Sequence, residues 1–200
     1  MTEAAIRSAS EAELAEVGAL IALSFNDLGP DTYLVPLPAD RPRVMGAFFT
    51  LLTEHAFRYG RVDVIENGRG IEGAAVWFDR TGDTPEPPDY EHRVAALAGP
   101  YLDNFQALDA LFEKYHPTEP HWTLAFLAVH PDHQNKGLGS ALMRRTHDEL
   151  DRAGVPQYLE ATNQDNIRLY RRYGYTDMTP FDMLLPDGTP FFRMWRPAGG

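Results

Sequence analysis

Cysteine is absent from the 200-residue chain, which excludes disulfides, thiolate metal sites and a cysteine nucleophile. Long apolar runs are absent too. The longest, LAFLAV at 124–129, falls far short of the roughly 20 residues needed to cross a bilayer. The first residues, MTEAAIRSASEAEL, lack the apolar core of a secretory signal, so a cytoplasmic location with no membrane partner is expected. Basic charge is scarce: 18 Lys and Arg against 29 Asp and Glu leave a net charge of −11. That balance argues against a protein that coats nucleic acid, whose phosphates need accumulated Lys and Arg. His130 and His133 stand three residues apart, but no third ligand accompanies them, and no metal is expected.

What is present is ordinary soluble composition, 44% hydrophobic and 24% charged, and a single domain over 1–200 is expected. Monomer and homodimer both remain open. The charge is unevenly spread. Residues 134–172 hold seven basic and five acidic side chains, so this stretch is locally positive while the remainder carries the negative excess. A compact anion would be welcome there.

Periodicity gives the elements. A short strand near Ala4–Arg7 precedes a capping box, Ser10-x-x-Glu13, and a helix carrying Leu14, Val17, Ile21 and Phe25. A second helix runs over 40–58. Strands RVDVIE (61–66) and IEGAAVWF (71–78) flank Asn67-Gly68-Arg69-Gly70 as a hairpin. A polar, Pro-rich loop (79–89) leads to helical stretches with Leu102, Phe105, Leu108, Phe112 and Tyr115. HWTLAFLAVH (121–130), apolar on both faces, reads as a central strand. Helices over about 137–152 and 164–173 enclose strand QYLEAT (157–162), and two strands, about 175–185 and 190–196, finish the chain. The fold class is α/β (α+β): a mixed sheet of about seven strands flanked by helices.

The turn after the central strand reads Gln134-Asn135-Lys136-Gly137-Leu138-Gly139-Ser140. A helix start offers unpaired N–H groups and a positive dipole end, and glycines let an anion approach the backbone. The P-loop is excluded because Lys136 precedes its glycine. The dinucleotide fingerprint is excluded because Leu142 stands where a small residue is required. Downstream, Asn163, Tyr170 and Gly174-Tyr175 form a second element, Asn-x6-Tyr-x3-Gly-aromatic.

Both elements, in this order, resemble the GCN5-related N-acetyltransferase family. HPTEPHW, PDHQNKGLGSA, RAGVPQYLEATNQDN and LYRRYGY are most similar to its puromycin N-acetyltransferase-like members. The resemblance implies a mostly antiparallel central sheet, a helical insert between strands 3 and 4, and an acetyl-coenzyme A core at about 121–175. It implies that Gln134, Asn135, Lys136, Gly137, Leu138, Gly139 and Ser140 grip the pyrophosphate of acetyl-coenzyme A. It further implies that Leu127, Ala128 and Val129 face the thioester and pantetheine, and that Asn163 contacts the pantetheine. Asn135 replaces the family's usual glycine, and Asn tolerates positive φ best among the other residues. Asn166 replaces a small residue.

The implied reaction is direct acetyl transfer to the primary amine of a small molecule that is antibiotic-, amino-acid- or nucleoside-like. Holding both substrates in line can itself contribute roughly 7–11 kcal/mol, so no enzyme nucleophile is needed. Tyr170 is the candidate general acid. Glu160 is the candidate base, with pairing to Arg168 or Arg171 as its structural alternative. Among the aromatics, Tyr33 and Trp77 are candidate walls of an acceptor pocket. Transfer to protein N-termini or lysines, and a non-catalytic acyl-coenzyme A sensor, are the alternatives.

Overall fold

The computed structural model describes residues 5–66, 68 and 70–199; Asn67 and Arg69 of the expected hairpin turn lie outside them. Strand β1 (Ala5–Ser8) leads into the capping box, where the Glu13 carboxylate accepts the Ser10 N–H at 2.7 Å. Helix α1 (Leu14–Phe25) follows and buries Val17 and Ile21 completely. A short helix that the residue pattern does not announce, α2 (Gly29–Leu34), comes next, with Pro30 in its first turn. Helix α3 (Arg41–Tyr59) packs on α1 through Val44, Met45, Phe48 and Leu51. The two approach so closely at Gly18 that an added Cβ would sit 2.2 Å from Thr50 Oγ1.

Strands β2 (Gly60–Glu66) and β3 (Ile71–Arg80) pair antiparallel. The insert is α4 (Tyr90–Ala98) and α5 (Leu102–Tyr115). Then come β4 (His121–Val129), α6 (Leu138–Ala153), β5 (Gln157–Ala161), α7 (Gln164–Arg172), β6 (Thr176–Leu184) and β7 (Pro190–Arg196). Among the described residues the seven strands form one sheet in the order β1-β2-β3-β4-β5-β7-β6, and β4–β5 is its parallel pair. This is the mixed sheet of about seven strands that the residue pattern leads one to expect, mostly antiparallel as the resemblance implies.

Two apolar layers sandwich the sheet. Helices α1, α3, α4 and α5 cover one face with Val62, Val64, Ala74, Val76 and Ala128. Helices α6 and α7 cover the other with Trp77, Leu124, Leu142, Leu159 and Ile167. Among the described residues no helix is long and apolar enough to cross a membrane.

The register of β3 on β4 shifts by one residue: Val76 faces Phe126 and Trp77 faces Leu124, so Ala125 is the extra residue of a bulge. Parallel pairing of β4 with β5 is confined to Trp122–Gln157 and Thr123–Tyr158. Past those pairs the two strands part, and the gap between them opens toward the start of α6.

Candidate active site

The site begins where β4 ends. His130 N–H donates to Glu72 C=O at 2.8 Å, tying the strand exit to β3, and Pro131–His133 makes one tight turn. His133 Nδ1 lies 2.7 Å from the Glu72 carboxylate, and His130 Nδ1 accepts from Asp132 N–H at 3.3 Å. Both imidazoles are thus parts of the turn, and among the described residues no group of three or more His, Cys, Asp or Glu is arranged to hold a metal.

The turn then shapes a helix start. Gln134 Nε2 donates to Val129 C=O at 3.2 Å and Lys136 Nζ to Asp132 C=O at 3.0 Å, so both side chains brace the loop. Asn135 adopts φ 60° and Gly137 φ 83°, the left-handed conformations expected of them. The first helical bond runs from Ala141 N–H to Gly137 C=O at 3.0 Å, and Gly137 offers no side-chain cap. The N–H groups of Leu138, Gly139 and Ser140 therefore project from the helix start without an intrahelical acceptor. A Cβ on Gly139 would meet Leu127 and Val129 side chains at 3.6 and 3.7 Å, so the helix start rests directly on β4.

Strand alternation decides which β4 amides face the gap. Because His130 bonds to β3, residues two apart from it do likewise, and Ala128 belongs to the β3 ladder. Leu127 and Val129 turn the other way, toward the parted edge. Val129 C=O confirms the direction by accepting from Ser24 Oγ at 2.9 Å instead of from a strand. Of the expected residues Leu127, Ala128 and Val129, the Ala128 amide belongs to the β3 ladder, which leaves those of Leu127 and Val129 facing the gap.

Asn163 caps α7: its Oδ1 accepts Asn166 N–H at 2.9 Å. Asn166 in turn donates from Nδ2 to Thr162 Oγ1 at 3.2 Å, which explains an amide where a small residue was expected. Tyr170, on the same helix, is 8% exposed, and its ring centroid lies 5.8 Å from that of Tyr175. Burial raises its hydroxyl above the ordinary phenol value, so it holds its proton throughout neutral pH.

Glu160 sits on the opposite sheet face, directly across from Arg193 of β7. Burial pushes its carboxyl up to about 7, against the pull of Tyr158 and of the Arg193 and Arg80 charges. Arg168 and Arg171 are engaged elsewhere, with Asp165 at 2.8 Å and Asp177 at 2.6 Å, which removes the structural alternative for Glu160.

The two aromatic candidates separate. Tyr33 is half-buried on α2, and its hydroxyl is raised by burial and by the Asp187 charge in the β6–β7 turn, so α2 and that turn face each other. Trp77 is fully buried against α6, edge-on to His147 at 5.9 Å, and lines no pocket. Strand β3 is apolar on both faces, so its sequence does not reveal which way Trp77 points. Residue patterns also missed Arg80, Tyr158 and Arg193, which surround Glu160. An arginine between apolar neighbours in PFFRMWR is the signal that could have found Arg193. A surface hollow of about 450 Å³ between Arg58, Tyr59, Thr81 and Trp122 lies near the start of β4, away from this constellation.

Residues 86–175 match the model of the acetyltransferase (GNAT) family. The L-methionine sulfoximine/L-methionine sulfone acetyltransferase of Salmonella typhimurium is 31% identical over 125 residues, 56% of this chain and 71% of that one. The [ribosomal protein bS18]-alanine N-acetyltransferase of Escherichia coli is 43% identical over 60 residues, 28% of this chain and 40% of that one. A solved Corynebacterium glutamicum structure, described as histone acetyltransferase HPA2 and related acetyltransferase, superposes with a TM-score of 0.74 at 25% identity, covering 98% of this chain and 97% of that one. These relatives are acetyltransferases of varied acceptors, and their names do not single out puromycin.

Proposed function

Because the chain belongs to the acetyltransferase (GNAT) family, we propose that it moves an acetyl group from acetyl-coenzyme A directly to the primary amine of a small molecule, with both substrates bound at once. The observation that carries this reading is the parted β4–β5 edge, with free amides on Leu127 and Val129, opening beside the uncapped start of α6.

The residues present fit coenzyme A. The outward N–H groups of Leu138, Gly139 and Ser140, with the helix dipole behind them, suit a diphosphate. Leu127 and Val129 would pair with the amide-bearing arm as an added strand would. Bound acetyl-coenzyme A supplies an activated thioester.

The protein's own part is positioning and proton transfer. Glu160, with its carboxyl poised at about 7, takes a proton from the acceptor's ammonium and leaves a neutral amine. The Leu127 or Val129 N–H can donate to the acyl oxygen as charge develops there. Tyr170 Oη, protonated at neutral pH, is available to the departing sulfur. A small acceptor is favoured over a protein tail because the acceptor side is walled. Asn104 Nδ2 on α5 donates to Tyr33 C=O at 2.9 Å and the Tyr101 hydroxyl donates to Asp40 at 2.6 Å, joining the insert to the N-terminal helices.

The test is thiol release from acetyl-coenzyme A with a panel of small amines, run beside Tyr170→Phe. The variant should bind acetyl-coenzyme A within about twofold of the parent while kcat falls about 100-fold, the lower end of general acid contributions. An unchanged kcat would remove Tyr170 from the reaction. Saturable coenzyme A binding with no turnover of any amine would favour a sensor instead.

A further inference from the structure

The sheet face beneath α3 and α5 is apolar except for one polar inlay. Arg80 ends β3, His121 and Thr123 lie on β4, Tyr158 and Glu160 on β5, and Arg193 on β7, while His116 descends from the end of α5. Strand register sets Arg80 opposite His121 and Glu160 opposite Arg193. The His116 ring centroid lies 5.0 Å from that of His121 and 5.4 Å from that of Tyr158.

Among the described residues three polar atoms of this inlay are buried without a hydrogen-bond partner: Arg80 Nε, Arg193 Nε and His116 Nε2. Arg193 is 6% exposed and Tyr158 fully buried. Arg193 uses Nη1 on Pro180 C=O at 3.0 Å and lies 5.8 Å above the Tyr115 ring, contacts that set no carboxylate against its guanidinium. Among the described residues neither Arg80 nor Arg193 has a carboxylate within 4.0 Å, although Glu160 and the exposed Glu86 act on them from further away. Burial keeps both imidazoles neutral at pH 7.

The inlay is therefore rich in donors and holds two guanidinium charges. Water could occupy the orphaned atoms, but it would leave the charge uncompensated. A planar carboxylate meets both needs, since a guanidinium binds it with paired donors. Beside the inlay the wall is aromatic: Phe191, two residues before Arg193 on β7, meets Phe112 of α5 edge-on at 5.1 Å.

We propose that this inlay binds a carboxylate carried by the acceptor, next to the amine that Glu160 deprotonates, so that the acceptor is an amino acid with an apolar side chain. This rests on the acetyltransferase reading above and narrows its substrate class.

The experiment compares all twenty L-amino acids, with L-leucinamide and L-phenylalaninamide as uncharged counterparts, in the thiol-release assay. Leucine or phenylalanine should exceed its amide at least tenfold in kcat/KM. Arg193→Gln should lower the acid about 100-fold, as expected for removing one partner of a buried charge pair, and the amide at least tenfold less, the amide's own loss reflecting the removal of the Arg193 charge from Glu160. Arg193→Lys should recover part of the loss, and Arg80→Gln gives a second reading if Arg193→Gln fails to fold. N-acetyl-L-phenylalanine, but not its amide, should raise the melting temperature of the parent and not of the Arg193→Gln variant, a readout that needs no turnover. Equal rates for acid and amide, an equal loss of both on Arg193→Gln, or no turnover of any amino acid while coenzyme A binds by calorimetry would overturn the carboxylate subsite. Absence of coenzyme A binding would instead overturn the acetyltransferase reading.

Discussion

Replacing Glu160 by Gln separates a catalytic carboxylate from a structural one, because the two roles predict opposite signs. Burial lifts its carboxyl from 4.5 to about 7. At 1.36 kcal/mol per pH unit, that interval opposes the ionised form by about 3 kcal/mol. The side chain keeps part of its surface in contact with solvent, and screening brings the figure to about 1–2 kcal/mol. The cost is absent below pH 4.5, where the group is protonated both folded and unfolded, and is fully present above about 7. Glu160→Gln should therefore match the parent in denaturant unfolding at pH 4.5 and be more stable by about 1–2 kcal/mol at pH 8. Activity should move the other way. The variant's kcat/KM at pH 8 should fall by about 10²–10⁴, the usual contribution of a general base. The parent's profile should rise with pH and bend near 7, and the variant should lose that bend while keeping the one set by the acceptor amine. A variant with full activity and the same bend would refute the assignment of Glu160 as base. A variant less stable than the parent at pH 8 would show that the carboxylate mainly serves its arginine neighbours.

Two further perturbations probe the helix start and the core. Gly139→Glu puts a negative side chain where the outward N–H groups of α6 converge, and calorimetry should show at least a tenfold weaker affinity for coenzyme A with folding intact, while unchanged affinity would place the diphosphate elsewhere. His147 is 3% exposed and burial holds its imidazole down at about 4, so the folded state keeps it neutral. Its stabilising contribution is complete above pH 6.5 and is lost as pH falls toward 4, up to about 3 kcal/mol. Comparing unfolding of the parent and His147→Phe at pH 7 and pH 4.5 should show a smaller loss in the variant, and equal losses would contradict it.

The elements that carry the chemistry were legible because they are local. Gly137 and Asn135 announce positive φ whatever lies around them, whereas Asn163, expected only as a pantetheine contact, caps α7. Tyr170 and Glu160 were named only through the family resemblance and the reaction it implies, and their roles remain proposals. What required the third dimension was facing. The orientation of Trp77 and the split between Ala128 and the flanking amides depend on register with β3, which no stretch of β4 encodes alone. Helix α2 was missed because six residues carry too little periodicity, and its support is tertiary, including the Asn104 contact to Tyr33. Arg80 was hidden at the edge of a polar segment that reads as loop, yet it belongs to β3 and turns inward.

The extra residue at Ala125 works as a phase shift in the strand. Before it, Thr123 points to the layer under α3 and α5; after it, that direction passes to Phe126 and Ala128, while Leu124 and Leu127 face α6 and α7. Excising that single alanine would set Leu124 directly before Phe126 in regular alternation, so every later side chain would keep its face and only the local bend and added twist would be lost. The bulge falls just past Thr123–Tyr158, the last β4–β5 pair, so the phase shift and the parting of the two strands coincide on β4.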